Sequence, residues 1–261
     1  MKQLEIPVRY YYVDSDQEVW RIESKFHYLE KTLSIDPKEA ALILLDIWKE
    51  GESSFSKRAA EITLKRVVPV VEAARDAGVT VVHAPSPRVA KRYPQWTRFA
   101  GDEEIEPPKR PPPDWPPPEF VRREGKYSQY SRKIYRGPKY LQSLLGGPPE
   151  IADPVKPLPE DYVVTTGSHL HRLLKAEKIL HLFYAGFYVN MCIQYRDYGM
   201  RAMGARGYNV ILLRDCTTAI ENHDTVDELL ITKMSIRHIE TLLGFSTTSE
   251  DFIKACRALR A

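Results

Sequence analysis

Residues 181–221 run HLFYAGFYVNMCIQYRDYGMRAMGARGYNVILLRDCTTAIE. Two short apolar runs, ILHLFYAG (179–186) and NVILLRD (209–215), flank the stretch NMCIQYRDYGMRAMGARG (190–207), whose pattern predicts a helix stopped by Gly207. Apolar run, helix, apolar run is the pattern of buried parallel strands joined by a crossover. The same alternation continues outward. ALILLD (41–46), VTVVHA (79–84) and DYVVTT (161–166) are further strand candidates. RAAEITLKRVVPVVEAARDAG keeps helical spacing up to Gly78, with Pro69 kinking it or marking a first turn. HLHRLLKAEK, TVDELLITKMSIRHIETLLG and SEDFIKACRAL supply later helices, the last with Ser249 as its expected cap. The fold class that follows is α/β, three layers around a parallel sheet of about six strands.

Two segments depart from this rhythm within what is expected to be a single domain over residues 1–261. Residues 95–160 hold eight prolines between Pro107 and Pro118 and no long apolar periodicity, so they form an insertion. Its Arg122, Arg123, Lys126, Arg132, Lys133 and Arg136 either bind an anion or face water. Residues 1–40 are an extension in which IPVRYYYV suggests a hairpin, joining the sheet edge or a neighbouring subunit.

The net charge of +3, from 38 basic and 35 acidic residues, gives no global field for nucleic acid or a membrane surface, so a small-molecule partner is expected. No apolar run approaches the ~20 residues of a membrane span. The opening residues also lack the apolar centre of a signal peptide, and a cytoplasmic location is expected. Three cysteines without paired spacing argue for free thiols.

Parallel sheets bind ligands at the carboxyl ends of their strands. That directs attention to Asp46, His83, Thr165 with Thr166, the GFYVNMC turn and Asp215. Cys192 follows a strand and a glycine turn and enters a helix that Asn190 can cap, a setting expected to depress a thiol's pKa. Cys216 and Cys256 read as packing residues. Asp46 ends the most apolar strand, either capping a loop or taking the thiol proton. His83 lacks a second His or Cys nearby, so it reads as a satisfied polar contact and no metal is expected. No G-x-G-x-x-G follows the first strand, and no cofactor is expected.

With these residues in hand, the chain resembles the isochorismatase-like cysteine hydrolases, the superfamily of nicotinamidases, N-carbamoylsarcosine amidases and isochorismatases. The resemblance covers about residues 41–94 and 161–255, and its most specific part is 181–221. It implies Cys192 as nucleophile, Asp46 as general acid and base, and a cis peptide joining Phe187 to Tyr188. It also implies an oxyanion hole built from the N–H groups of Tyr188 and Cys192. The family triad lysine is replaced by Thr166, or by Thr165, and a usual threonine by Val189. Lys126 or Arg123 from the insertion is the expected substitute cation. Trp48, Phe187 and Tyr188 are expected to give the pocket an aromatic wall, Trp48 by stacking on a planar substrate or by plain packing. The implied activity is hydrolysis of a C–N bond in a small amide or ureido compound through a covalent intermediate, in a homo-oligomer. The alternatives are a non-catalytic small-molecule binder and a vinyl ether hydrolase.

Overall fold

The computed structural model describes residues 2–13, 22–106, 114–132 and 149–260. Close contacts divide the chain into one unit of residues 1–101 with 149–261 and another of residues 102–148. The break is narrower than the expected insertion at 95–160. Gln95 donates to the carbonyl of Leu158, so both ends of that stretch belong to the larger unit.

The larger unit is built on β1 (Leu4–Tyr12), β2 (His27–Ile35), β3 (Ala40–Leu45), β4 (Thr80–Ala84), β5 (Tyr162–Val163), β6 (His181–Gly186), β7 (Asn209–Leu213) and β8 (Phe245–Thr247). They form one sheet in the order β2-β1-β8-β7-β6-β3-β4-β5. β3 to β8 are parallel. β1 and β2 form an antiparallel hairpin, and β1 adds antiparallel to β8. Of the two places proposed for the N-terminal hairpin, the structure therefore selects the sheet edge.

Period-2 alternation divides the strand residues between two cores. Leu42, Leu44, Phe183, Ala185, Ile211 and Leu213 enter one. Ile43, Leu45, Leu182, Tyr184, Val210 and Leu212 enter the other. The first core is closed by α1 (Ser54–Ile62), α2 (Val68–Asp76) and, near the C-terminus, the helix Ser249–Ala258. A π turn, Thr63–Val67, joins α1 to α2. Pro69 follows that π turn inside a run of helical backbone continuous from α1, so its missing N–H falls where the ladder is locally re-registered. A short α3 (Pro87–Ala90) follows β4.

Within the unit 102–148, the described residues form α4 (Asp102–Ile105), α5 (Pro118–Arg122) and a 3-10 turn, Gly125–Tyr130. Phe120 packs edge-on to Tyr127 at 5.2 Å, and Arg123 lies 4.2 Å over the Phe120 ring. Lys126 is 5.1 Å from the Tyr127 ring. Pro107 to Pro113, Lys133 and Arg136 lie outside the described residues.

The second core is closed by α6 (Gly167–Ala176), α7 (Cys192–Tyr195), α8 (Met200–Ala205) and α9 (Leu230–Leu242); Ser249–Ala258 becomes α10. The helix expected over 190–207 is thus two short ones. Between them the Asp197 carboxylate accepts the Gly167 N–H and the Tyr198 hydroxyl donates to the Pro85 carbonyl. Those long-range bonds pull the backbone out of helix. Gly207 ends α8 at φ +94°, the left-handed stop its position predicts.

α9 starts later than the apolar pattern suggests, because Glu221 reaches from the preceding loop to accept the N–H groups of Ile231 and Thr232. At α10, Thr248 rather than Ser249 is the cap, and Ser249 instead holds Asp215 through its N–H and its hydroxyl. Asp215 therefore serves this helix start. No helix among the described residues is long and apolar enough to cross a membrane.

Candidate active site

β3 and β6 are neighbours, paired from Ala40 with His181 to Leu45 with Gly186, so Asp46 and the 187–192 turn leave the sheet side by side. Gly186 makes that approach possible. It sits at φ +131°, and a Cβ there would lie 1.9 Å from the Leu45 carbonyl oxygen. The next residue donates its N–H to that same oxygen. The Phe187–Tyr188 peptide that follows is cis.

Asn190 does not cap the next helix. Its side chain accepts from the Ile220 N–H at 3.3 Å and donates to the Ile220 carbonyl, tying the turn to the loop after β7. Cys192 then opens α7, a single four-residue turn too short to carry much of a macrodipole. Cys192 is half-buried as a residue, whereas Cys216 and Cys256 are buried.

Asp46, 2% exposed, adopts φ +50° and aims its carboxylate at Arg196. Arg196 donates Nε at 3.3 Å and Nη2 at 3.1 Å to Oδ2. Among the described residues, Asp46 Oδ1 has no partner in strict hydrogen-bond geometry. The Cys192 thiol nevertheless stands beside the carboxyl, close enough for each group to shift the other's titration.

Burial raises the Asp46 pKa above the usual carboxylate value, and Cys192 and Arg196 oppose that rise. Burial, with the nearby Asp46 charge, pushes the Cys192 thiol up to about 11, while Arg196 pulls it down. The expectation of a depressed thiol pKa is therefore overturned. Desolvation and a like charge outweigh one guanidinium, and α7 adds too little dipole to change the sign.

Arg196 is the residue that sequence reasoning missed. Its signal was present, four positions after Cys192, where one helical turn brings two side chains to the same face. Thr166 plays a different part, because its hydroxyl caps α6 by accepting the His169 N–H. The N–H and hydroxyl of Thr165 meet His169 Nδ1. Arg123 and Lys126 lie in the unit 102–148 against its aromatic rings, and the cation bonded to Asp46 is Arg196.

The expected aromatic wall is also thinner than anticipated. Phe187 is buried in the first core. Tyr188 is half-buried, 5.6 Å edge-on from Phe55, and burial raises its pKa above the usual tyrosine value. Trp48 is half-buried against the first core and forms a backbone bridge with Ile151.

His83 is a satisfied structural residue: buried, it donates Nε2 to Asp161 at 3.1 Å. Burial lowers its pKa despite that carboxylate. Asp161 is held below the usual range because His83, Arg75 and the Leu158 N–H outweigh its own burial. The described residues contain no cluster of three or more His, Cys, Asp or Glu suited to a metal ion.

Comparison with known proteins bears on the fold and on part of the sequence. The isochorismatase domain family model matches residues 146–249. A cysteine hydrolase from Pseudomonas syringae pv. phaseolicola 1448A has a similar structure, with TM-score 0.53 and 17% identity over 86% of this chain and 95% of that one. An isochorismatase family protein from Burkholderia thailandensis gives TM-score 0.48 and 16% identity over 85% and 97%. An N-carbamoylsarcosine amidase from Thermoplasma acidophilum gives 0.44 and 17% over 81% and 97%. No curated protein matches the sequence. Residues 146–249 thus match an isochorismatase domain, within an α/β fold that this chain shares with a solved cysteine hydrolase.

Proposed function

We propose that this chain is a cysteine hydrolase that cleaves a C–N bond in a small amide or ureido compound, with Cys192 as nucleophile and Asp46 as general base and acid. The observation that carries this reading is the thiol of a half-buried cysteine beside a buried carboxylate that one guanidinium holds in place. With a pKa of about 11, on the order of 10⁻⁴ of the thiol is ionised at pH 7. A waiting thiolate is thus not the reactive form. Sulfur instead attacks the carbonyl carbon as its proton passes to Asp46, whose raised pKa suits it to receive one.

The N–H groups of Tyr188 and Cys192 have no acceptor among the described residues and are free to bind the developing oxyanion. Collapse of the tetrahedral species breaks the C–N bond, and Asp46 returns the proton to the departing nitrogen. Water then gives a proton to Asp46 and its oxygen to the thioester, and the released thiolate is reprotonated. Arg196 stays charged throughout and steadies whichever of the two groups is anionic. A small-molecule substrate and a homo-oligomeric assembly remain parts of the proposal.

The test is ammonia release from a panel of amides and ureides. Cys192→Ala is expected to lower turnover by at least about 10³-fold with the circular dichroism spectrum unchanged, and Arg196→Ala by about 10²-fold. Full turnover in Cys192→Ala would exclude the mechanism. Labelling by iodoacetamide should be slow at pH 7, accelerate as pH rises towards 11, and favour Cys192 over the two buried cysteines. The raised thiol pKa also favours a second reading, a small-molecule binder without catalysis. That reading prevails if a binding amide is recovered intact after long incubation.

A further inference from the structure

Arg196, whose guanidinium meets the Asp46 carboxylate, is the residue on which the four-residue turn α7 ends. A helix this short is not stable by itself in water. The bond from the Arg196 N–H to the Cys192 carbonyl, at 3.1 Å, therefore depends on support from outside α7.

That support is the turn that follows. The Gly199 N–H donates to the Arg196 carbonyl at 2.8 Å and closes residues 196–199 into a tight turn. Tyr198, which is buried, fixes its far end: the hydroxyl donates to the Pro85 carbonyl at 2.9 Å, and the Tyr198 carbonyl accepts the Tyr184 hydroxyl at 3.0 Å.

Asp197, next to Arg196, fixes the near end. Its Oδ2 accepts the Gly167 N–H at 2.7 Å. A Cβ on Gly167 would lie 2.0 Å from the Asp197 carbonyl oxygen, so the two backbones touch, as only glycine permits. Gly167 is the first residue of the ten-residue helix α6, and its N–H is one of the donors a helix start leaves without an intrahelical acceptor. A carboxylate suits that end of a helix. The turn is thus fastened to a longer element. An arginine loses much side-chain freedom in reaching a single carboxylate, and a fixed backbone beside it keeps that loss from growing.

We propose that Asp197 is a positioning residue for the candidate active site: by holding the start of α6, it keeps the Arg196 guanidinium on Asp46 and beside the Cys192 thiol. This rests on the reading of those three residues as one site, but its test needs no substrate.

The reactivity of Cys192 is the readout. Burial, then the Asp46 charge, push the thiol up to about 11, and Arg196 opposes them. With Arg196 displaced the pKa climbs further. Each further unit lowers the ionised fraction about tenfold and raises the thiolate's nucleophilicity about threefold, so labelling slows about threefold. Loss of the Asp197 charge alone acts in the opposite direction, because removing a negative charge favours a thiolate nearby. The two effects are told apart by sign.

Iodoacetamide labelling of Cys192 in the folded full chain is followed at pH 8.5 by peptide mass spectrometry. The rate is expected to fall about three- to tenfold in Arg196→Ala and about threefold in Asp197→Ala. Asp197→Asn, which keeps an acceptor for the Gly167 N–H, should stay within about twofold of the natural chain. In an Arg196→Ala background, Asp197→Ala should slow labelling no further. Asp197 is exposed, so its variants are expected to fold, and circular dichroism checks that they do.

Unchanged or faster labelling in Asp197→Ala would overturn the proposal and leave Asp197 a helix cap alone. Equal slowing in Asp197→Asn, or further slowing in the Arg196→Ala background, would overturn it too, since the effect would then not run through the bond to Gly167 and through Arg196. Labelling that Arg196→Ala leaves unchanged would remove its basis. Each of these results stands apart from the turnover of Cys192→Ala, which decides the hydrolase reading separately.

Discussion

At the scale of single residues, Asp46 combines burial, a left-handed backbone and one ionic partner. Such a group works against stability at neutral pH. Its folded pKa is raised above the unfolded value of 3.8, so the folded state holds its proton more tightly. The resulting penalty is absent below about pH 4, grows as pH rises through the folded pKa, and is full above it. Asp46→Asn should therefore melt at a higher temperature than the natural chain at pH 7, with the gap closing as pH falls towards 4. A gap that widens on acidification would reverse the sign assigned to this group.

Residue identity also explains what could be read in the sequence. Asp46 and Cys192 end adjacent apolar runs, and strand-end position is visible in a pattern. A missing lysine directs attention to the third strand end and to the insertion for a replacement cation. Arg196 comes instead from the same turn as the nucleophile, and only the spacing of four announces it. The thiol's raised pKa was not legible at all, since it depends on how much solvent the folded site excludes.

Among the elements, the closest approach is between the ends of β3 and β6. Gly186 is fixed there twice, by a positive φ and by the Leu45 carbonyl in the space a side chain would need. Gly186→Ala is expected to cost roughly 3 kcal/mol or more and to be read as a lower midpoint in urea unfolding. A wild-type midpoint would show that the strand ends are less tightly apposed. Five of the six parallel strands, β3 to β7, were legible because each is a short apolar run bounded by polar residues; β8, only Phe245–Thr247, carries no such run. Where helices stop was less so. The split between α7 and α8 follows from bonds that Asp197 and Tyr198 make to residues far away in sequence. The late start of α9 follows from Glu221, which lies outside the helix it serves. A local pattern carries no trace of such partners.

For the whole molecule, the N-terminal hairpin is structural and not an appendage. Leu4, Ile6 and Val8 are buried in the first core, and Arg9 donates to Glu240, a side chain with no exposure, at 2.8 Å. At about 2 kcal/mol for each of those three side chains, the hairpin contributes about 6 kcal/mol, against a typical total of about 5–15. A chain lacking residues 1–36 should therefore lose cooperative unfolding or aggregate through the uncovered edge of β8, as light scattering would detect. A monomeric truncation with an unchanged melting temperature would contradict that contribution.

The same pairing has a bearing on biosynthesis. Arg9 and Glu240 are 231 residues apart. At about 5–20 residues per second, the ribosome needs on the order of 10–50 s to deliver the second after the first. For that interval β1 has an open flank. The nascent protein thus depends on β2, the hairpin partner of β1, or on a chaperone, to shield that strand until the segment around Glu240 arrives.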